Sequence, residues 1–168
     1  MVDERLEISP GPRAPNADLT ATFDHPPSLR SSTDGPSGLF LDINYTFALA
    51  RGDSARSRAV WRATTRMYEY RLPDHEHQEL LVYHWQPGPS YHGPDHPHLH
   101  ISAALHAQIN AIAQLRIELD KLHLVTGMVS LEAVIRMLIT EWKIAPLRHN
   151  WRDILARTEA LSANDVHP

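Results

Sequence analysis

Eight of the twelve histidines in this 168-residue chain lie between positions 75 and 106, and three of them alternate within the run HPHLH at positions 96–100. Alternation is the side-chain period of a β-strand, so His98 and His100 are expected on one face of a strand and Leu99 on the other. Two residues one strand repeat apart are roughly 6.5–7 Å from each other at the backbone. This spacing suits two chemistries. The imidazoles can bind one metal ion, or they can flank one phosphate as acid and base.

The metal interpretation uses neutral imidazoles as ligands, with His98 and His100 on one ion. The candidates for further ligands are nearby histidines and one carboxylate: His84, His96, His123 and Asp95. A site with three protein ligands and an open position activates water. The implied cofactor is then zinc or another divalent transition metal.

The second interpretation needs no metal. One imidazole takes a proton from a nucleophile and the other donates a proton to the leaving oxygen, and an unperturbed pKa of about 6.5 suits both tasks at neutral pH. His98 and His100 are the predicted base and acid, with His96 as a further catalytic candidate. His84 is another, because it projects opposite the aromatic residues on either side of it. A third interpretation, a row of polar residues on a solvated strand face, stays open.

Arginines recur on the preceding predicted strand, where Arg58, Arg62 and Arg66 are four residues apart. In a strand they share one face with Tyr68 and Tyr70. Guanidinium groups bind phosphate in bidentate fashion, and tyrosine rings stack on unpaired bases. The set therefore predicts binding of RNA or another phosphate-bearing substrate. A solvated sheet face, with arginine stems over apolar surface, is the alternative.

The composition limits the class of protein. The formal net charge is −4, and the positive stretch is residues 38–74, where six arginines accompany four acids. The chain contains no cysteine, which excludes disulfides and thiolate metal sites. No apolar run approaches the roughly 20 residues that cross a bilayer, and the first residues contain no segment of signal-peptide type. We therefore expect a soluble cytoplasmic protein without membrane contact.

The first 37 residues contain six of the thirteen prolines and no sustained periodicity, which predicts a flexible tail over 1–37. A single domain is predicted over 38–164. Its first strand follows the alternating apolar residues from Leu39 to Leu49. The further predicted strands are 59–71, 79–85 and 98–102, with a short fifth at 117–120.

Two helices are predicted near the end of the chain. Ser130 can cap a helix that extends to Trp142 with its apolar residues on one face, and Asn150 can cap a last helix. The element order predicts an α+β domain. It consists of an antiparallel β-sheet of four or five strands, followed by two C-terminal helices packed on one face of the sheet.

Two families share short motifs with this chain. The run at 96–100 resembles the histidine-triad signature, in which the middle histidine attacks a nucleotide phosphate. That resemblance implies that His98 is the nucleophile and that His96 and His100 support it. The segments Leu81–Trp85 and His96–His100 resemble small bacterial toxin–antitoxin proteins of the TumE type. This second resemblance implies a toxin-like protein that acts on RNA and is neutralised by a cognate partner protein.

Three hypotheses follow from these patterns. The first is a small, toxin-like, metal-independent ribonuclease, in which His98 and His100 cleave RNA while Arg62 and Arg66 hold the phosphate. RNA is favoured because its 2′-OH is a built-in nucleophile. The second is a metal-dependent hydrolase with the same histidines as ligands. The third is a non-enzymatic module that binds a partner protein through its C-terminal helices.

Overall fold

The structure is a computed structural model that describes residues 5–9, 16–33, 35–51, 61–89, 91–102 and 123–162, with residues 51, 61, 62, 161 and 162 described by their backbone only. The strands in these residues are β1 (Leu6–Ile8), β2 (Asp18–Phe23), β3 (Ser28–Arg30), β4 (Pro36–Phe40), β5 (Asp42–Arg51), β6 (Trp61–Pro73), β7 (Glu79–Trp85), β8 (His98–Ile101) and β9 (Leu124–Val125). The helices are α1 (Leu131–Thr140) and α2 (Trp151–Ser162). The strands predicted at 79–85 and 98–102 are confirmed as β7 and β8, whereas the one predicted at 117–120 lies outside the described residues.

Seven strands form one antiparallel sheet in the order β1-β2-β5-β6-β7-β8-β9, and β3 pairs with β4 in a separate two-stranded sheet. Strands β5 to β8 are neighbours both in the chain and in the sheet, which is the arrangement of an antiparallel meander. Both helices follow the sheet in sequence. The predicted α+β class is confirmed, with more strands than the four or five expected.

The prediction of a flexible tail over residues 1–37 is wrong for the part that the structure describes. β2 pairs with β5 in register, with Thr20 opposite Thr46, and the hydroxyl oxygens of this pair are 3.2 Å apart. β1 in turn pairs with β2. The sequence of β2, DLTATF, alternates polar and apolar residues, but a pattern of six residues between proline-bearing segments is too short to stand out.

The apolar core lies on one face of the large sheet, beneath α1. Tyr68, Tyr70 and Leu72 of β6 are 1%, 2% and 4% exposed on this face. They form one buried cluster with Val134 and Leu138 of α1. Complete burial of an aliphatic side chain of this size contributes about 1.5–3 kcal/mol to stability. This cluster therefore fixes α1 on the sheet.

The helix starts follow their sequence signals. The Ser130 hydroxyl accepts a hydrogen bond from the Ala133 N–H at 3.1 Å, which confirms the predicted N-cap of α1. α2 begins at Trp151, directly after Asn150 as predicted. In the described part of the chain, no helix has both the length and the apolar character needed to span a membrane.

The first helix ends two residues earlier than predicted. α1 stops at Thr140 instead of continuing to Trp142. Lys143 then adopts the left-handed conformation, with φ of 56°, and its ammonium group donates to the Thr140 carbonyl at 2.6 Å. This turn brings Ile144 back into the core cluster.

Residues that alternate with the core residues point to the other face of the sheet, and polar side chains prevail among them beside the histidines. Successive partners across the ladder form one row: Asn44, Glu69, His84 and His98. A parallel row two residues along the strands contains Asp42, Arg71, Val82 and His100. Strand register thus places histidines of two different strands side by side.

Candidate metal centre

Three histidines from two neighbouring strands converge on the polar face of the sheet. His84 of β7 lies opposite His98 of β8, and His100 is one strand repeat further along β8. One potential ligand atom of each lies within 4.8 Å of the others. A tetrahedral zinc ion, with Zn–N bonds of about 2.0–2.1 Å, holds its ligand nitrogens roughly 3.4 Å apart. The three ligand atoms must therefore come closer together by up to about 1.4 Å for all three to bind one ion.

His98 stands at the centre of this group, with 0% of its surface exposed. Its Nδ1 lies 2.8 Å from the His96 carbonyl oxygen. Because a carbonyl oxygen only accepts, Nδ1 carries a proton, and in the neutral ring Nε2 then keeps its lone pair. That Nε2 atom is buried and has no hydrogen-bond partner within the described part of the chain. A buried polar atom without a partner costs about 1–3 kcal/mol, and a bound metal ion would remove this cost.

His123 and His96 stand at the edge of the group. The ring centroid of His123, which is exposed, is 4.5 Å from that of His100 and 5.1 Å from that of His98. The His96 ring centroid is 6.0 Å from that of His98, and its Nδ1 lies 3.6 Å from the Asp95 carboxylate. His123 borders the group but is not among the residues whose ligand atoms converge, whereas His96 orients His98 through its backbone carbonyl.

The surroundings favour the neutral form of two of these imidazoles, His84 and His100. Burial lowers the pKa of His100 to about 4, and the neighbouring histidine rings add to the effect. Burial also lowers the pKa of His84, although the Glu69 carboxylate acts in the opposite direction. Neutral imidazole is the form that binds a metal ion. A group with so low a pKa is almost entirely without its proton at neutral pH, so it is a poor general acid.

The loop after β7 brings Tyr91 onto His84. The Tyr91 hydroxyl oxygen lies 3.3 Å from His84 Nδ1, and the two rings pack edge to face with centroids 5.1 Å apart. Sequence reasoning did not single out Tyr91. It lies in a Pro- and Gly-rich loop, where no periodicity predicts the direction of a side chain.

Sequence reasoning also missed Glu69, which lies directly beside His84 in the ladder. The Glu69 carboxylate accepts a hydrogen bond from Arg71 at 2.8 Å. The sequence does indicate the position of Glu69, since this residue lies between Tyr68 and Tyr70 in the strand. Once these tyrosines are recognised as core residues, alternation places Glu69 on the polar face.

The predicted surface of arginines and tyrosines does not form. Tyr68 and Tyr70 are buried in the core, so neither ring is available to stack on a base. Arg66 does not join them, since its side chain is 48% exposed and its Nε lies 3.6 Å from an Asp18 carboxylate oxygen. The register between β5 and β6 shifts beside Arg66, which breaks the alternation on which the prediction depended. Of the other two arginines, Arg58 lies outside the described residues, and Arg62 is described by its backbone only.

Among the described side chains around Arg71, acidic groups outnumber basic ones. Arg71 lies 3.3 Å from Asp42, 2.8 Å from Glu69 and 3.2 Å from Glu79, measured between guanidinium nitrogens and carboxylate oxygens. Three carboxylates against one guanidinium leave a net charge of −2 among these four groups. Such a surface attracts a divalent cation and opposes the approach of a phosphate backbone.

No protein-family model, curated protein or solved structure matches this chain. The resemblances to the TumE-type proteins and to the histidine-triad signature therefore stay predictions. What this protein does must be inferred from the side chains of its site.

Proposed function

We propose that this protein binds one divalent transition-metal ion through His84, His98 and His100 and uses it for metal-assisted hydrolysis. Three neutral imidazoles are a ligand set typical of catalytic zinc, and they leave one position for water. A zinc ion lowers the pKa of its bound water to about 7, so that hydroxide is available as a nucleophile at neutral pH. Zinc is one of the transition metals that an all-imidazole set suits, whereas hard cations such as magnesium prefer oxygen ligands.

The observation that carries this proposal is the Nε2 atom of His98. Its lone pair is directed away from the His96 carbonyl and lies at full burial among other imidazoles. The same feature has a familiar use in metal sites, where one histidine nitrogen binds the ion and the other donates to a carbonyl that fixes the ring. A solvated row of surface histidines would not bury this atom.

Two features favour the metal-dependent hydrolase over the metal-independent ribonuclease. Acid–base cleavage needs one protonated imidazole, but burial holds the pKa of His100 at about 4 and lowers that of His84. The described arginines nearest the site, Arg66 and Arg71, are already paired with carboxylates. The partner-binding hypothesis is weakened in a different way, since α1 buries Val134 and Leu138 against the sheet.

The first test is the zinc content of purified, untagged protein after equilibrium dialysis. We expect one zinc per chain in the wild type and none in the His98→Ala variant. The matched control is His149→Ala, which removes an exposed histidine that lies between the two helices and should keep the full zinc content. A wild-type protein that binds no zinc, cobalt or manganese would overturn the proposal.

The second test concerns the reaction. Zinc-loaded protein is expected to hydrolyse an activated ester such as p-nitrophenyl acetate, to lose this activity with a chelator, and to regain it when zinc is restored. Cleavage of RNA that persists in the presence of the chelator would instead support the ribonuclease hypothesis. A loaded protein without any chelator-sensitive hydrolysis would reduce the function to metal binding alone.

A further inference from the structure

The loop between β7 and β8 has a fixed geometry where it meets the histidines. Gly88 adopts φ of 137°, a conformation that side chains other than hydrogen rarely allow, and its carbonyl accepts a hydrogen bond from the Tyr91 N–H at 3.2 Å. Further along, the Asp95 carbonyl accepts from the Trp85 indole N–H at 3.3 Å. These two bonds set the path of the loop that carries Tyr91.

The Tyr91 ring is held between His84 and a glycine. On one side it meets the edge of the His84 imidazole, with centroids 5.1 Å apart. On the other side a Cβ atom added at Gly93 would overlap both the ring and the hydroxyl of Tyr91. Gly93 does not have a positive φ, so its backbone conformation is open to alanine. The lack of a side chain at Gly93 therefore makes room for the phenol.

The contact between Tyr91 and His84 bears directly on which nitrogen carries the proton. The phenol oxygen lies 3.3 Å from His84 Nδ1. A phenol can accept from a protonated Nδ1 or donate to a bare one. When Nε2 binds a metal ion, the neutral ring carries its proton on Nδ1, and the Tyr91 oxygen then accepts from it.

We propose that Tyr91 is a positioning residue that orients the His84 ring through Nδ1 and accepts from Nδ1–H when Nε2 binds the metal, and that Gly93 is required for this arrangement. The inference rests on the proposed metal site. It assigns to Tyr91 the same task for His84 that the His96 carbonyl performs for His98. Removal of such an orienting partner typically weakens metal affinity 10- to 100-fold.

The test compares zinc affinities by competition with a chromophoric chelator. Tyr91→Phe, which removes only the hydroxyl, is expected to weaken zinc binding by about 10-fold or more while the denaturation midpoint of the metal-free protein stays unchanged. The matched control is Tyr83→Phe. That change removes the hydroxyl of a half-buried tyrosine on the core face, where it contacts Met137, and should leave zinc affinity unchanged.

Gly93→Ala provides an independent route to the same defect. The new methyl group displaces the Tyr91 phenol, so the affinity should fall as it does in Tyr91→Phe. The double variant should then bind zinc no more weakly than the weaker single variant, because both changes remove one contact. Fully additive losses would contradict the inference.

Two spectroscopic readouts separate the failure of this inference from failure of the metal proposal. In cobalt-loaded protein, Tyr91→Phe should change the visible absorption, because the geometry of one ligand changes. In metal-free protein, the Nδ1 NMR shift of His84 should differ between the wild type and Tyr91→Phe, because the hydrogen bond to the phenol is lost. A wild type that binds no metal but shows this difference would overturn the metal site only. Wild-type zinc affinity together with an unchanged Nδ1 shift in Tyr91→Phe would overturn the role of Tyr91.

Discussion

The two faces of the large sheet take alternate residues from the same strands. Beneath α1, residues such as Tyr70 and Leu72 pack into a continuous apolar cluster with Leu138. On the other face, His84 and His98 meet with a buried lone pair that no described group satisfies. The first arrangement lowers the free energy of the fold, and the second raises it unless a ligand is bound. A binding site must be held rigidly, and the well-packed opposite face gives this polar site that support.

The largest effect on stability is expected on the core face. Leu138→Ala removes a side chain that is 3% exposed and leaves a cavity, so the free energy of unfolding should fall by about 2–5 kcal/mol in urea denaturation. Zinc content per folded chain should stay at one. A variant that keeps its stability but loses zinc would show that the two faces are not separable.

The next effect on the free energy of unfolding is expected on the polar face, and only when metal is bound. Zinc at 100 times its dissociation constant should raise the free energy of unfolding of the wild type by about 2.7 kcal/mol. His98→Ala should show no such increment, since the central ligand is missing. The two denaturation curves are compared within each protein, with and without zinc, so any effect of His98→Ala on the metal-free fold cancels. An equal increment in both proteins would place the zinc elsewhere.

A smaller effect is expected at the start of α1. Ser130→Ala removes the acceptor for the Ala133 N–H and should lower the free energy of unfolding by about 1 kcal/mol. Ser130→Asp supplies another capping side chain and should restore most of the loss. Because α1 packs on the core face, zinc affinity should not change in either variant. A loss of zinc affinity in Ser130→Ala would reveal coupling between the faces.

A last effect is a pH dependence of the metal-free protein. The pKa of His100 falls from its usual 6.5 to about 4 on folding, mainly through burial. Between these values the unfolded chain binds more protons, so the free energy of unfolding should decrease as the pH falls from 6.5 towards 4, and the full contribution should be present above 6.5. His84, whose pKa is also lowered, acts in the same direction. Urea denaturation of His100→Asn should show a shallower pH dependence than the wild type, and an equal pH dependence in the two proteins would contradict this expectation.

The comparison between the faces also shows how far sequence reasoning extends. Alternation predicts that His98 and His100 share a face, and that His84 projects opposite its aromatic neighbours, because both are local properties of a strand. The bounds of β7 follow from the same pattern. Which strands pair, and in which register, is decided by contacts far apart in the chain, as between His84 and His98.

The features that the sequence did not predict also have physical causes. A single register shift between β5 and β6 separates Arg66 from Tyr68, and no sequence period reveals a bulge in advance. β2 is held by its pairing with β5 and not by a strong pattern of its own. Tyr91 reaches His84 through a loop whose path is set by Gly88 and Asp95. Each of these features depends on tertiary contacts that a linear pattern does not contain.

The proposal that His84, His98 and His100 share one metal ion is best tested by X-ray absorption at the zinc edge of loaded, untagged protein. We expect a shell of nitrogen and oxygen ligands at about 2.0–2.1 Å with the outer-shell scattering of three imidazole rings, and the loss of that scattering in His98→Ala. A spectrum with oxygen ligands alone, or one that His98→Ala leaves unchanged, would contradict it.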